Sequence, residues 1–424
     1  MGLRAVNVGT GEALLDVRGN ALLVPASTLK LITTAAGLRQ LSPHYRFRTA
    51  FLTASSVQEG AVQGDLFLKG YGDPTLVVEE AWLMVRALRQ LGVRSVHGDL
   101  VGDDSFFDAE HRGPAWADAG SQRAFNAKVS ALSLNHNSVM LLARPGHAPG
   151  DPVEVVVETP SPYLTLRNTA RTSHLQQSRG ISVARLEGET GDTLVLEGEM
   201  GIGSPPQRLY RNISNPPLHA TLGVQELLAQ EGIRITGRSR IGRTPPQARE
   251  LYVHRSKALY RVIDDLNKFS NNMIAEQLLK TIGAEVHGPP GSWAKGLEVV
   301  GGMLADFGIP RGTYTLVDGS GLSRLNRVSP AQLVTVLTRM AHDFRVQPEY
   351  MASLRAPDIE GRASHRFGRV DFAQRARLKT GSMDDVSALA GYVGPAGGGL
   401  IAFAMLMNGP LCSMERAWQV QDTV

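Results

Sequence analysis

The chain has 424 residues, which is enough for two or three domains with a substantial core. Its apolar fraction of 42% and charged fraction of 20% are typical of a globular protein and argue against global disorder. The net charge is only +4, and basic residues are scattered among acidic ones, so we expect no nucleic-acid-binding surface. Cys412 is the single cysteine, which excludes an intrachain disulfide and a cysteine-rich metal site.

The first forty residues predict a β-hairpin followed by a helix. "MGLRAVNVGTGEALLDVRGN" has the pattern of two strands around the turn Gly9-Thr10-Gly11. The helix is predicted from about Ser27 to Leu41, with Leu29, Ile32 and Ala36 on one apolar face. No basic-then-apolar leader precedes the hairpin and no apolar run reaches membrane-spanning length, so we expect a mature or trimmed form without a transmembrane segment.

The middle of the chain changes character twice. Short alternating strands and one clear helix, "EEAWLMVRALRQLG", extend to about Ala143, and the stretch from about Arg144 to Arg211 predicts only strands and turns. "SNPPLHATLGVQELLAQEGI" predicts a helix again, and "GRTPPQAREL" is typical of a linker. Helices dominate from about Leu251 until "SALAGYVG" and "LIAFAMLMN" close the chain as two strands joined by the loop 394–399.

The opening hairpin needs partners, because two strands alone are marginally stable in water. The closing strands could complete its sheet, which predicts a discontinuous domain with the middle of the chain inserted. We predict one domain from residues 1–47 and 248–424, and an inserted α+β domain from residues 48–145 and 213–247. A small β domain, residues 146–212, is nested within the insertion.

Three short motifs could carry chemistry. Ser27 and Lys30 form S-x-x-K, Ser270 and Asn272 form S-x-N, and Lys379-Thr380-Gly381 forms K-T-G, with Ser382 next. Each occurs by chance in many proteins of this length, but the three together and in this order are a far stronger signal.

The first motif can supply an activated nucleophile. A serine hydroxyl reacts poorly until a nearby base takes its proton, and a lysine is such a base only if burial or positive charge depresses its pKa. Lys30 on an apolar helix, with Lys379 close in the fold, would meet both conditions. The start of a helix adds positive partial charge and free N–H groups near Ser27.

The other two motifs supply complementary groups. Ser270 offers a hydroxyl for proton transfer, and Asn272 an amide that can hold a substrate peptide group. A strand carrying K-T-G can pair with an extended peptide, and Gly381 permits its close approach. The backbone N–H groups of Ser27 and Ser382 would then form an oxyanion hole.

With these motifs, the chain resembles the class C low-molecular-mass penicillin-binding proteins, the D-Ala-D-Ala carboxypeptidase/endopeptidase family. Further matching stretches run from one end of the chain to the other: "PASTLKLITTAAGL", "GDPTL", "LVGDDSFFD", "LSLNHNS", "SNPPLHA", "NKFSNNMIAEQLLK" and "DGSGLSR". The long interval between Lys30 and Ser270 is also similar to that family, whereas class A β-lactamases place the two motifs much closer together. The resemblance implies an α/β (α+β) penicillin-binding/serine β-lactamase-like transpeptidase fold. Its antiparallel sheet is flanked by helices and carries large inserted α+β and all-β domains.

The resemblance also implies a reaction. Ser27 would be acylated by the penultimate D-Ala of a peptidoglycan stem peptide with release of the terminal D-Ala. Lys30 would act as base and Ser270 as proton relay, and water or an acceptor amine would release the acyl group. The substrate carboxylate would be held by Lys379, Thr380 and Ser382.

Relatives that cleave meso-diaminopimelate crosslinks grip the far end of the substrate with additional residues. The candidates here are Asp118, Arg324 and Met383, although Arg324 could instead only neutralise a neighbouring carboxylate. His136 and His219 fit no metal-binding pattern and no nucleotide-binding loop is present, so we expect neither a metal nor a cofactor.

The expected partners are peptidoglycan stem peptides, with β-lactam antibiotics as covalent inhibitors, and the resemblance allows a homodimer. The presumed substrate implies a periplasmic or otherwise extracytoplasmic location. Two alternatives stay open from the residues alone: a β-lactamase or esterase-like hydrolase that uses the same three motifs, and a cell-wall-binding scaffold without turnover.

Overall fold

The computed structural model describes residues 1–116, 120–159, 161–175, 180–357, 374–394, 397–409 and 414–423. The chain divides into two compact units. The first comprises Met1–Arg46, Arg112–Ala117 and Lys257–Val424, and the second comprises Phe47–His111 and Asp118–Ser256. Within the described ranges, every helix is too short or too polar to cross a membrane.

The helices, in chain order, are α1 (Lys30–Leu41), α2 (Val78–Gln90), α3 (Pro216–Gln230), α4 (Leu259–Phe269), α5 (Asn272–His287), α6 (Trp293–Asp306), α7 (Pro330–His342), α8 (Gln347–Ala352) and α9 (Met414–Thr423). Short 3-10 turns occupy Ala26–Leu29, Ala124–Asn126 and Asn135–Asn137. The strands are β1 (Gly2–Asn7), β2 (Ala13–Val17), β3 (Arg48–Thr53), β4 (Val57–Gln58), β5 (Ala61–Val62), β6 (Leu66–Gly70), β7 (Ser95–Val96), β8 (Leu100–Asp103), β9 (Ser138–Arg144), β10 (Glu154–Val157), β11 (Leu164–Asn168), β12 (Arg171–Ser173), β13 (Gly180–Glu187), β14 (Asp192–Gly201), β15 (Gln207–Asn212), β16 (Arg234–Ile235), β17 (Ser239–Ile241), β18 (Arg249–Arg255), β19 (Ala376–Met383), β20 (Val386–Val393) and β21 (Ile401–Asn408).

The first unit is built on one antiparallel sheet with the strand order β19-β20-β21-β1-β2. Strand β1 from the start of the chain pairs with β21 from its end, in a register that places Arg4 opposite Ala404. The predicted sharing of one sheet by the opening hairpin and the closing strands is therefore confirmed. Helix α7 packs on β1, β20 and β21, and α1 packs against α5, α6 and α7. An antiparallel sheet flanked by helices is the predicted fold.

Helix α1 is enclosed along most of its length, from Lys30 to Leu38. Gly37 brings α1 close to α5, because a Cβ there would lie 2.9 Å from the side chain of Leu278. The α-helix begins at Lys30 rather than at the predicted Ser27, since residues 26–29 form a 3-10 turn whose Thr28 N–H donates to Pro25 O. Ser27 therefore lies in a tight turn immediately before the helix.

The second unit contains two larger hydrophobic cores. One lies with the mixed sheets β17-β8-β6-β3-β18 and β16-β7-β5-β4, and α2 and α3 contribute to it. The other lies between the sheet β10-β9-β15 and a sheet in which β11, β12 and β13 all pair with β14. From 144 to 211, the described residues form strands and turns without a helix, as predicted.

Strand β18 pairs with β3, so residues 249–255 belong to the second unit. The division of the insertion into an α+β domain and a nested β domain stays a prediction.

Candidate active site

The S-x-x-K motif places Lys30 against Ser27. The Nζ atom of Lys30 lies 2.9 Å from Ser27 Oγ, 2.7 Å from Asn272 Oδ1 and 2.7 Å from the carbonyl oxygen of Ser320. The side chain of Lys30 is fully buried. Preceding Ala26 has a φ of 45°, a left-handed conformation that costs a non-glycine residue about 1–2 kcal/mol. A locally strained turn thus presents Ser27 to its lysine.

The hydrogen bonds of Lys30 determine what its amine can do. The oxygens of Asn272 and Ser320 are carbonyl acceptors that cannot donate. A neutral amine satisfies both with its two N–H groups, and its lone pair then points at Ser27 Oγ, the only one of the three partners that carries a proton. Burial lowers the pKa of Lys30 to about 7, while the carboxylates of Glu276 and Asp318 counteract part of that shift.

The S-x-N motif and the K-T-G motif also meet. Ser270 lies between α4 and α5 with a φ of 57°, and its Oγ is 2.9 Å from the Nζ atom of Lys379. The same Nζ donates to the carbonyl oxygen of Thr380 at 2.8 Å. Burial lowers the pKa of Lys379 well below its usual value, and the positive charges of Lys30 and Arg355 lower it further.

Strand β19 brings its backbone to Ser27. The backbone N–H and C=O of Leu378 form hydrogen bonds with Arg355, on the side of β19 away from β20. Backbone groups alternate between the two sides of a strand, so the N–H and C=O groups of Thr380 and Ser382 face this same open side. Between them, Gly381 is so close to the nucleophile that a Cβ would lie 2.8 Å from Ser27 N. The side chains of Thr380 and Ser382 are exposed there. This edge can receive an extended peptide beside Ser27.

The three residues predicted to grip the far end of a substrate have different outcomes. Arg324 forms an ion pair with Asp385, in which Nη2 and Oδ1 are 2.6 Å apart, and both side chains are about 40% exposed. Met383 ends β19 and packs against the cluster of Val24, Ala26 and Val386. Asp118 lies outside the described residues. Their roles in substrate binding stay predictions.

Two buried carboxylates that sequence reasoning missed lie next to the lysine. Glu276 on α5 accepts hydrogen bonds from the backbone N–H groups of Gly319 and Ser320, at 2.9 and 2.8 Å, and from Trp293 Nε1 at 2.8 Å. Asp318 accepts from the loop that follows it, including the N–H of Gly321 at 2.9 Å. Glu276 follows Asn272 by four residues, so their shared helix face was a signal available in the sequence.

A serine facing a buried lysine, a second serine–lysine pair and a strand edge for an extended peptide define a serine acyl-transfer enzyme that acts on peptides. The chain belongs to the D-Ala-D-Ala carboxypeptidase 3 (S13) family, whose model matches residues 1–424. The predicted resemblance is confirmed, and the protein is a serine DD-peptidase.

Individual relatives agree with this assignment. The D-alanyl-D-alanine carboxypeptidase of Actinomadura sp. (strain R39) is 33% identical over 96% of this chain and 77% of its own length. The crystal structure of penicillin binding protein 4 (dacB) from Haemophilus influenzae matches with a TM-score of 0.86 and 27% identity, over 99% of this chain and 94% of that one. A complex of that protein with a β-lactam matches with a TM-score of 0.79 and 25% identity, over the same shares of both chains.

Replacing Gly381 by alanine tests the close approach of β19. The added Cβ would push the strand away from Ser27 N, and we expect covalent labelling by a fluorescent penicillin to slow by about tenfold or more. Gly302→Ala in α6 is the matched control, because a Cβ there meets open space. Labelling of Gly381→Ala at the wild-type rate would contradict the geometry.

Proposed function

We propose that Ser27 is the nucleophile that attacks the carbonyl of the penultimate D-Ala, with Lys30 as its general base. The observation that supports this proposal is the pair of carbonyl acceptors, Asn272 Oδ1 and Ser320 O, which leave the lone pair of a neutral Lys30 directed at Ser27 Oγ.

The acylation step follows from these positions. The hydroxyl proton of Ser27 passes to Lys30 Nζ as Oγ bonds to the substrate carbonyl carbon, and the backbone N–H groups of Ser27 and Ser382 receive the negative oxygen. The C–N bond then breaks, and the departing amino group of the terminal D-Ala receives the proton that Lys30 accepted, relayed through the hydroxyl of Ser270, so that Lys30 is neutral again. The Oγ of Ser270 lies 2.9 Å from Lys379 Nζ. Water attack on the acyl-enzyme reverses these transfers and frees Ser27.

Substrate recognition uses the edge of β19. The stem peptide adds as a further strand beside Thr380 and Ser382, and its terminal carboxylate binds their hydroxyls and Lys379. An incoming carboxylate favours the ammonium form of Lys379, whose pKa the buried site otherwise lowers. Electrostatic attraction at this position therefore selects substrates with a free carboxyl end.

The named relatives extend the proposal. Because one relative is a penicillin-binding protein solved with a β-lactam, we expect β-lactams to acylate Ser27 in this chain. Peptidoglycan lies outside the cytoplasm, so we propose a periplasmic or otherwise extracytoplasmic location. A homodimer stays a prediction.

Ser27→Ala tests the nucleophile. The wild type should release D-Ala from a stem pentapeptide and carry a labelled penicillin on Ser27, and the variant should do neither because the attacking oxygen is absent. Mass spectrometry of the labelled tryptic peptide gives the site. A folded wild-type protein that hydrolyses penicillin rapidly but leaves the pentapeptide intact would favour a β-lactamase, and one that does neither would favour a scaffold.

The pKa of Lys30 predicts a pH profile for acylation. Only the neutral amine accepts the proton of Ser27, so the acylation rate should rise with pH and level off above about 7. Each pH unit below the midpoint should cost about tenfold, because the neutral fraction falls by that factor. Stopped-flow acylation by a chromogenic β-lactam measures this, and a rate that stays constant from about pH 5 to 8 would contradict it.

Replacing Arg324 tests whether cleavage of crosslinks needs a residue that release of the terminal D-Ala does not. We propose that it also holds a carboxylate of a diaminopimelate crosslink, which requires it to leave Asp385. Arg324→Ala should then slow cleavage of crosslinked dimers by about tenfold or more and spare D-Ala release from a pentapeptide. Asp385→Ala, the control, frees Arg324 and should retain cleavage of the dimers. If Arg324→Ala affected both substrates equally, Arg324 would have no specific role in crosslink cleavage, and its function would be limited to the ion pair with Asp385.

A further inference from the structure

The loop Asp318-Gly319-Ser320-Gly321 supplies one of the two acceptors that orient Lys30. Glu276 on α5 binds the backbone of this loop. Glu276 touches neither Ser27 nor Lys30 through a hydrogen bond, yet both of its carboxylate oxygens bind the loop backbone. We propose that Glu276 is a positioning residue for acylation, which sets the Ser320 carbonyl against Lys30 and supplies negative charge for the ammonium formed during proton transfer. This inference rests on the proposed role of Lys30 as base.

The hydrogen bonds of Ser320 connect Glu276 to Lys30. Its N–H donates to Glu276 Oε1 at 2.8 Å, and its carbonyl oxygen accepts from Lys30 Nζ at 2.7 Å. The neighbouring Gly319 is held in the same way, by Glu276 Oε2 at 2.9 Å and by the hydroxyl of Thr33 at 2.6 Å. Two consecutive residues are therefore fixed between α5 and α1.

The loop packs closely against the turn that carries Ser27. Gly321 has a φ of +82°, and a Cβ there would lie 1.9 Å from the carbonyl oxygen of Ala26, in the turn that carries Ser27. A displacement of the loop on the Glu276 side would change both the acceptor of Lys30 and the packing of that turn. The Lys30–Ser27 alignment thus depends on the carboxylate of Glu276.

Charge adds a second effect. The ionisable groups that act on Lys30 are Glu276 on α5, Asp318 in the loop and Lys379 on β19. Behind Glu276, Trp293 donates to its Oε2, and Lys280 lies over the indole ring, with Nζ 3.9 Å from the ring centroid. All of these side chains are buried. In such surroundings an ammonium on Lys30 is stabilised by the two nearby carboxylates.

Opposing effects determine the pKa of Glu276. Burial and the neighbouring charge of Asp318 raise the pKa of Glu276 to about 7, while its three N–H donors favour the carboxylate. In Glu276→Gln one of the two oxygens becomes an NH₂ group. Either the N–H of Ser320, or the N–H groups of Gly319 and Trp293, would then face a donor instead of an acceptor.

The test is the pH dependence of acylation by a chromogenic β-lactam in the full chain, with Glu276→Gln. Loss of the negative charge lowers the pKa of Lys30, so the midpoint of the profile should move to lower pH. Loss of one acceptor oxygen displaces the loop, so the maximal rate should fall by about tenfold or more. A folded variant with both the wild-type midpoint and the wild-type rate would overturn the proposal.

A second variant separates position from charge. Thr33→Val releases the same loop at Gly319 without changing charge, and it should lower the rate at an unchanged midpoint. If Glu276→Gln does not fold, a Thr33→Val rate equal to that of the wild type overturns the proposal instead. If the wild type itself were not acylated at Ser27, the proposed function would be rejected. This outcome differs from a failure of the Glu276 proposal, in which the wild type is acylated and the variants behave like it.

Discussion

The burial of one lysine amine between two carbonyl oxygens determines the chemistry of this protein. Water would hold the amine of Lys30 as an ammonium, which cannot accept a proton from Ser27. Removing that water lowers its pKa to about 7, and the acceptors Asn272 and Ser320 use the remaining N–H groups. The amine is left with a single free direction, toward Ser27 Oγ. Burial and orientation act together, because a neutral amine in water would have no fixed lone pair.

The rest of the first unit supplies the parts of this enclosure. The base is on α1, Asn272 is the first residue of α5, and Gly37 permits these two helices to approach closely. The Ser320 loop closes the third side and is held by Glu276. Because β1 pairs with β21, the ends of the chain share a sheet, and β19 at its edge passes beside the turn of Ser27. A second buried lysine, Lys379, then prepares the same edge for a carboxylate.

Several of these features could be predicted from the sequence, because they are local patterns with a chemical meaning. The three motifs, the strand that carries Lys379 and the pairing of the opening and closing strands were all predicted. The start of α1 was placed three residues early, because a 3-10 turn and an α-helix share the same apolar spacing over one turn. The bond from Lys30 to Asn272 was missed, since Asn272 was interpreted only as a group that contacts substrate.

The buried carboxylates show a more general limit. In the sequence, Glu276 is indistinguishable from a glutamate on the solvent-exposed face of a helix. It is buried because a loop distant in sequence covers α5. The same is true of Arg324, whose pairing with Asp385 joins a loop to the turn between β19 and β20. Periodicity identifies which face of a helix is buried, but the partner of a buried charge is determined by tertiary packing.

The mechanism requires that Lys30 loses its proton near pH 7 in the folded protein, and NMR titration of its side chain measures this. Lysine labelled with ¹³C at the ε position gives one signal per residue, and Lys30→Arg identifies the signal of Lys30. We expect a midpoint near 7 for Lys30, well below its ordinary value of 10.5. A midpoint that coincides with those of exposed lysines would exclude Lys30 as the base, because Lys30 would then be an ammonium at the pH where Ser27 must lose its proton.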